Sequence, residues 1–223
     1  MLERLIIRHC APTLAGLKTG SVINCPYKDR EEILYAVQNL NQRLSFYGLF
    51  VIPLRILENK ILVYLYRPDK LTEDLASEDA ADILKNYGYP MGDFRKCIAR
   101  LCRRLEESEE FPHEIGLFLG YPSEDVLGFI TKHACDYKCA GYWKVYGDAK
   151  KAERIFEQYR KCTELYCLQW ERERALNSWL LRVFRFGRTG GSLRTACIVF
   201  VLPHTVSDAH FCEDVFWLCG IFF

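Results

Sequence analysis

The residues best suited to chemistry in this chain are thiols and imidazoles: eleven cysteines and five histidines stand among 223 residues. Cys10 follows His9 and precedes Ala11-Pro12-Thr13, where the pattern predicts a helix start. A thiol at a helix N-terminus has its thiolate favoured by the helix dipole and free amides, which is what a nucleophile or redox thiol needs. Adjacent residues on a helix do not face each other, so His9 is a poor base for Cys10. A remote base is required. His113, oriented by Glu114, would complete a Cys-His-acid arrangement suited to acyl or thiol transfer. The competing reading packs Cys10 as a small apolar residue and leaves His113 as a loop histidine.

A second set of thiols has metal-ligand character. Cys135 and Cys139 form a Cys-x3-Cys pair in a polar loop beside Gly141, and Cys162 and Cys167 follow them. Together the four would serve a structural zinc or an iron–sulfur centre. Five positions on a helix rotate by about 140°, so Cys162 and Cys167 share a metal only if a helix begins between them. The alternative is four unligated thiols. Cys97 and Cys102 have the same offset within a firm helical pattern and read as core or flank.

Two further segments concentrate functional residue types. Pro112-His113-Glu114 precedes an apolar run, and Gly120-Tyr121-Pro122-Ser123-Glu124-Asp125 follows it before a helix. Ligands often bind beyond the carboxyl end of a strand near a helix N-terminus. The acids disfavour phosphate there, and the plainer reading has Ser123 capping the helix while Glu124 and Asp125 complement its dipole. Tyr142, Trp143 and Tyr146 could line a pocket for a flat ligand or simply pack across strands. Arg100, Arg103 and Arg104, followed by Glu106, Glu107, Glu109 and Glu110, read as a solvated helix face with intrahelical pairs.

These residues need elements to position them. Short helices are expected at Leu2 to Arg8 and Thr13 to Lys18, with a strand at Ser21 to Cys25. Ile33, Val37, Leu40 and Leu44 recur at three- and four-residue steps, so Asp29 to Leu44 is an amphipathic helix capped by Asp29 and closed by Gly48. Leu49 to Leu57 and Lys60 to Tyr66 flank Glu58-Asn59 as a hairpin. Helices follow at about 71–76, 79–87 and 93–108, then a buried strand at Ile115 to Leu119 and a helix at Glu124 to Lys132. Trp143 to Tyr146 is a strand ended by Gly147-Asp148. Asp148 caps a helix to about Tyr159, and a last helix runs from about Thr163 to Leu176. Without a regular βαβ repeat, the pattern is a single α+β (mixed α/β) domain, with a mixed sheet of four or five strands covered by helices.

Composition bounds the setting. Thirty basic residues against 29 acidic ones give a net charge of +1, which argues against a nucleic-acid-binding protein. The apolar run near the start, Leu5 to Ile7, is too short for a signal segment, and no stretch approaches eighteen apolar residues. A reducing, cytoplasmic setting without a membrane span is expected, and there the thiols stay reduced. Composition shifts near Asn177: residues 1–176 form the domain, whereas 177–223 are aromatic, carry four Arg, and contain no Lys. That tail reads either as an interfacial hairpin or as an extension that is not native-like. Its lack of helical periodicity favours the second.

Several body segments also resemble a known family. Leu5 to Lys18 (LIIRHCAPTLAGLK), Glu110 to Pro122 (EFPHEIGLFLGYP), Gly141 to Asp148 (GYWKVYGD) and Lys161-Cys162-Thr163 are similar to motifs of a domain-of-unknown-function family of small soluble proteins from anaerobic bacteria. The resemblance covers about residues 1–175 and excludes the tail. It implies redox or metal physiology and a flavodoxin-like partner, with no activity to carry over. Two functions stand: a thiol-based or metal-linked redox role, or a non-catalytic binding or adaptor role.

Overall fold

Leu2, Ile6, Cys10 and Leu14 recur at four-residue steps and form the buried stripe of the first helix, α1 (Leu2–Leu14). The computed structural model describes residues 1–108 and 110–173. Two short helices were expected over this segment, but one helix runs through Pro12. Proline removes a helix hydrogen bond, and here the loss falls in the last turn, while the stripe before it is wholly buried. Arg67 secures that end, donating from Nε to the Thr13 carbonyl (2.8 Å) and from Nη2 to the Leu14 carbonyl (2.7 Å).

Strand β1 (Gly20–Pro26) leads to α2 (Arg30–Ser45). The Asp29 carboxylate caps α2, accepting from the backbone N–H of Glu31 (2.7 Å) and Glu32 (3.0 Å). Gly48 ends the segment at φ +68°, a conformation that glycine adopts without penalty. The expected hairpin is borne out as β2 (Phe50–Ile56) and β3 (Lys60–Tyr66), paired antiparallel. β3 is central, between β1 and β2, with Val22 opposite Tyr64 and Val51 opposite Leu65. The edge position of β2 tolerates Pro53, beside which the register shifts.

Alternation along these strands divides the core in two. Ile23, Cys25, Val51, Ile61, Val63 and Leu65 face α1, α2 and α8 (Ala149–Glu173). Val22, Leu54, Leu62, Tyr64 and Tyr66 face the opposite way. There they meet α3 (Pro68–Ala76), α4 (Glu78–Asn86), α5 (Phe94–Glu107), α6 (Ile115–Phe118) and α7 (Ser123–Thr131). A second sheet, β4 (Cys139–Ala140) with β5 (Lys144–Val145), packs against the first half of α8. The α+β class is borne out. Among the described residues, however, there is not one mixed sheet but an antiparallel three-stranded sheet and a separate two-stranded one.

Two other expectations change. Ile115 to Leu119 is a short buried helix and not a strand: all four residues of α6 are buried. A short run that is apolar on every side carries no period to distinguish strand from helix. The two helices expected after Asp148 are one helix of 25 residues. Ion pairs bridge the expected break, with Arg160 bonded to Glu157 (2.9 Å) and Glu164 (2.5 Å), and Lys161 to Glu157 (3.0 Å). The aromatic tail after Asn177 lies outside the described residues.

Candidate functional site

Val126, Phe129, Ile130 and His133 repeat at helical spacing along α7 and the turn after it, and they form one wall of a cleft of about 230 Å³. The segment Phe111 to Tyr121 supplies the floor, with His113, Ile115, Gly116 and Leu119. Tyr142, Trp143 and Lys144, leading into β5, close the far side. Two of the segments singled out in the sequence therefore converge on one cavity.

Asp125 holds the walls together. It is 3% exposed and lies in the first turn of α7. Its Oδ2 accepts from the Trp143 indole Nε1–H at 2.7 Å, and its Oδ1 accepts from the backbone N–H of Tyr146 (2.7 Å) and Gly147 (2.8 Å). Both oxygens are occupied, and the carboxylate staples the second sheet to the helix. The expected role of complementing a helix dipole misses this. Ser123 does not cap α7 either, because it lies inside the first turn and Pro122 precedes it without a side-chain cap. Gly128 admits the contact: a Cβ there would lie 2.4 Å from the Tyr146 ring.

The cleft walls are aromatic. Trp143 stacks on Tyr121 at 4.9 Å between centroids and meets Phe156 edge-on at 4.6 Å. Tyr142 meets Tyr159 edge-on at 5.2 Å, and the His113 ring stands against Phe129 at 4.9 Å. Burial lowers the pKa of His113, aided by His133 and opposed by Glu114 and Glu110. Lys144 lies over the Phe129 and Tyr137 rings at 5.7 and 5.0 Å, and its Nζ donates to the Ala134 carbonyl at 3.1 Å. The rim is strained: His133, Ala134 and Asp136 have φ of 47°, 61° and 55°, in the left-handed region that non-glycine residues seldom adopt.

The thiol arrangement expected from the sequence is not assembled. Cys10 lies within α1, wholly buried in the core on one face of the sheet, while Glu114 and the segment carrying His113 belong to the other face. Burial raises the Cys10 thiol to about 12, against smaller opposing effects of Lys18 and Ser21. That position disfavours the thiolate. Glu114 does not orient His113. It is buried and accepts from Tyr89 Oη (2.8 Å) and Arg104 Nε (2.5 Å). Arg104 thus reaches a buried partner outside its helix, contrary to the expected solvated face.

The four proposed metal ligands are also dispersed. Cys135 is exposed on the strained rim, and Cys139 in β4 feels Glu153 and Asp125 after the larger effect of burial. Cys162 and Cys167 pack with the α1 core. Cys162 is nine positions beyond Glu153, roughly 13 Å along one helix. The helix does not begin between Cys162 and Cys167, which was the condition for their sharing a metal. Among the described residues no group of three or more His, Cys, Asp or Glu side chains is placed to hold a metal ion.

The Lys18 ammonium lies over the Tyr121 ring at 4.9 Å, and the residue is only 6% exposed. Burial brings its ammonium down from 10.5 to about 8, with Cys10 pulling the other way. Between those two values the unfolded chain holds the extra proton, so this residue makes stability rise with pH across that window. Cys10, raised from 9.0 to about 12, gives the opposite slope above pH 9. Lys18→Met is expected to raise stability at pH 7 by on the order of 3 kcal/mol and to remove the rise between pH 8 and 9. Urea midpoints at pH 7, 8 and 9 check this. An identical slope in both proteins would refute it.

His133, Phe129 and Lys144 were not read as site residues, and Asp125 was read chiefly as complementing the dipole of the helix it opens. Two signals were present in the sequence: the i, i+3, i+4, i+7 recurrence of Val126, Phe129, Ile130 and His133, and the need of a buried indole N–H for an acceptor.

The molecule is thus an α+β protein with an aromatic cleft between its central helices and a small accessory sheet. The chain belongs to the DUF3793 family of proteins of unknown function, whose sequence model matches residues 6–180. Neither a curated protein nor a solved structure matches it. No helix among the described residues is long and apolar enough to cross a membrane.

Proposed function

We propose that this chain is a small-molecule-binding protein, and that the cleft beside Asp125 takes a flat, largely apolar ligand. One observation carries the reading: His113 and Tyr121 from one segment, and Tyr142, Trp143 and Lys144 from another, line the same cavity. A mostly apolar cleft with a few converging polar groups is the general form of a ligand site. At about 230 Å³ it suits a compact bicyclic molecule better than a dinucleotide. Asp125 serves it by fixing the Trp143 ring and the turn at Tyr146-Gly147, so the walls are preorganised before a ligand arrives. Of the two functions the sequence left open, the binding role has this support. A Cys10-centred redox role lacks an accessible thiol.

Equilibrium dialysis of the full chain against 2-naphthoate and its neutral isostere naphthalene-2-carboxamide tests the reading. At least one is expected to bind with a dissociation constant between about 0.1 and 1 mM, the range for a ligand of this size. Ile130→Trp, which drives an indole into the cleft, is expected to weaken that binding at least tenfold. Binding that is absent, or unchanged by the substitution, would reject the cleft as the site.

A further inference from the structure

One buried charge acts on the cleft through a residue of its wall. Lys18 lies just before β1 and places its ammonium over the ring of Tyr121, which lines the cleft. Tyr121 in turn stacks on Trp143, the indole that Asp125 fixes. Resting on the binding reading above, we infer that Lys18 is a protonation switch for this cleft. Its charge holds the Tyr121 ring in the stack, and loss of that charge loosens the wall and weakens ligand binding.

The surroundings direct a change of charge at Lys18 onto the ring. The backbone that carries it is fixed on both sides. The Leu17 and Lys18 N–H groups donate to the Pro12 carbonyl (2.8 and 3.1 Å), and the Arg67 N–H donates to the Thr19 carbonyl (3.0 Å). Gly120, at φ +74°, lets the segment carrying Tyr121 close on this one, since a Cβ there would lie 2.6 Å from Thr19 Oγ1. A cation over an aromatic face is held more strongly where water is excluded, and the neutral amine loses that attraction. The proton also leaves in an accessible range, because burial brings the ammonium down to about 8. The neighbouring groups keep their states there. Cys10 of α1, raised to about 12, stays a thiol. Asp74 of α3 accepts from the Thr19 hydroxyl, and Tyr159 of α8, pushed up by burial, donates to the Leu17 carbonyl at 3.4 Å. Arg67 remains charged on the Thr13 and Leu14 carbonyls.

Equilibrium dialysis of the full chain at pH 7, 8 and 9 tests the switch, with 2-naphthoate and naphthalene-2-carboxamide as probes. Neither probe changes its charge over this range. A probe that binds at pH 7 is expected to bind about fivefold more weakly at pH 9, with a midpoint near pH 8. Lys18→Met should bind at pH 7 as weakly as the unaltered protein does at pH 9, and without dependence on pH. With no probe present, the Trp143 indole Nε1–H resonance should move with pH about the same midpoint, and in Lys18→Met it should not. Affinity that is flat from pH 7 to 9, or a dependence that survives in Lys18→Met, overturns the switch and leaves the cleft reading standing. If neither probe binds at pH 7, both fall. Should Lys18→Met fail to fold, the indole resonance of the unaltered protein decides. A signal without a midpoint near pH 8 contradicts the assignment.

Discussion

Asp125→Ala is expected to lower stability by about 4 kcal/mol, the largest loss of any single substitution around the cleft. Three donors depend on this carboxylate: the Trp143 indole and the backbone N–H groups of Tyr146 and Gly147. Alanine would leave all three without an acceptor in a region where Asp125 itself is 3% exposed. Each unsatisfied buried donor costs roughly 1–3 kcal/mol, and hydrogen bonds to charged groups lie toward the upper end. Partial access of water to the turn at Gly147 reduces the sum. Asp125→Asn keeps one carbonyl oxygen and is expected to cost about half as much. Denaturant unfolding monitored by tryptophan fluorescence measures both. A loss under about 1 kcal/mol for the alanine variant would mean that the second sheet is held by its apolar contacts alone, Trp143 and Val145 against Ala152 and Tyr159.

The second large effect concerns the buried pair of Arg104 and Glu114, and its sign of asymmetry matters more than its size. The Glu114 side chain is 1% exposed, whereas that of Arg104 is 23% exposed and lies over the Tyr87 ring. Arg104→Ala strands a buried carboxylate with only Tyr89 to bond it, and is expected to cost about 3 kcal/mol. Glu114→Ala leaves an arginine that can turn to water, and should cost less, about 2 kcal/mol. The double variant is expected to fall near Glu114→Ala rather than at the sum of the two, because most of the Arg104 loss is the penalty of the stranded charge. Unfolding midpoints of the three proteins provide the cycle. Simple additivity would contradict the pairing.

Much of the scaffold is legible in the residues themselves. The four-residue stripe of α2, its Asp29 cap and the hairpin around Glu58-Asn59 are local patterns, and local patterns survive tertiary packing when nothing opposes them. Where local and global preferences compete, the sequence misleads. Pro12 argues for a helix boundary, yet the apolar stripe of α1 continues across it and is buried on both the sheet and α8. That continuation moves Cys10 from a helix start to a helix interior, and the chemistry expected of it goes with the position. Ile115 to Phe118 has no polar residue to give a period, so strand and buried helix look alike there.

The site itself was legible only in halves. The segments around His113 and Tyr142 both stood out by composition, but their meeting depends on contacts with no sequence signature. The Asp125 carboxylate reaches 18 residues forward to an indole, and the Tyr146 ring rests on Gly128. The cysteines drew attention by number, and the sheet separates them: Cys10 and Cys162 fall on one side, Cys97 on the other, and Cys135 on the rim of the cleft. Count alone says nothing about such partition.

The central claim, that the cleft beside Asp125 is the ligand site, is tested most directly by the Trp143 indole Nε1–H resonance in a proton–nitrogen correlation spectrum of the full chain. On titration with 2-naphthoate this signal is expected to shift saturably, together with the backbone amides of His113, Phe129, His133 and Lys144. Amides of Ile6, Cys10 and Val37, across the sheet, should stay in place. Saturable shifts confined to α1 and α2, or an indole signal that does not respond at millimolar 2-naphthoate, would contradict the account.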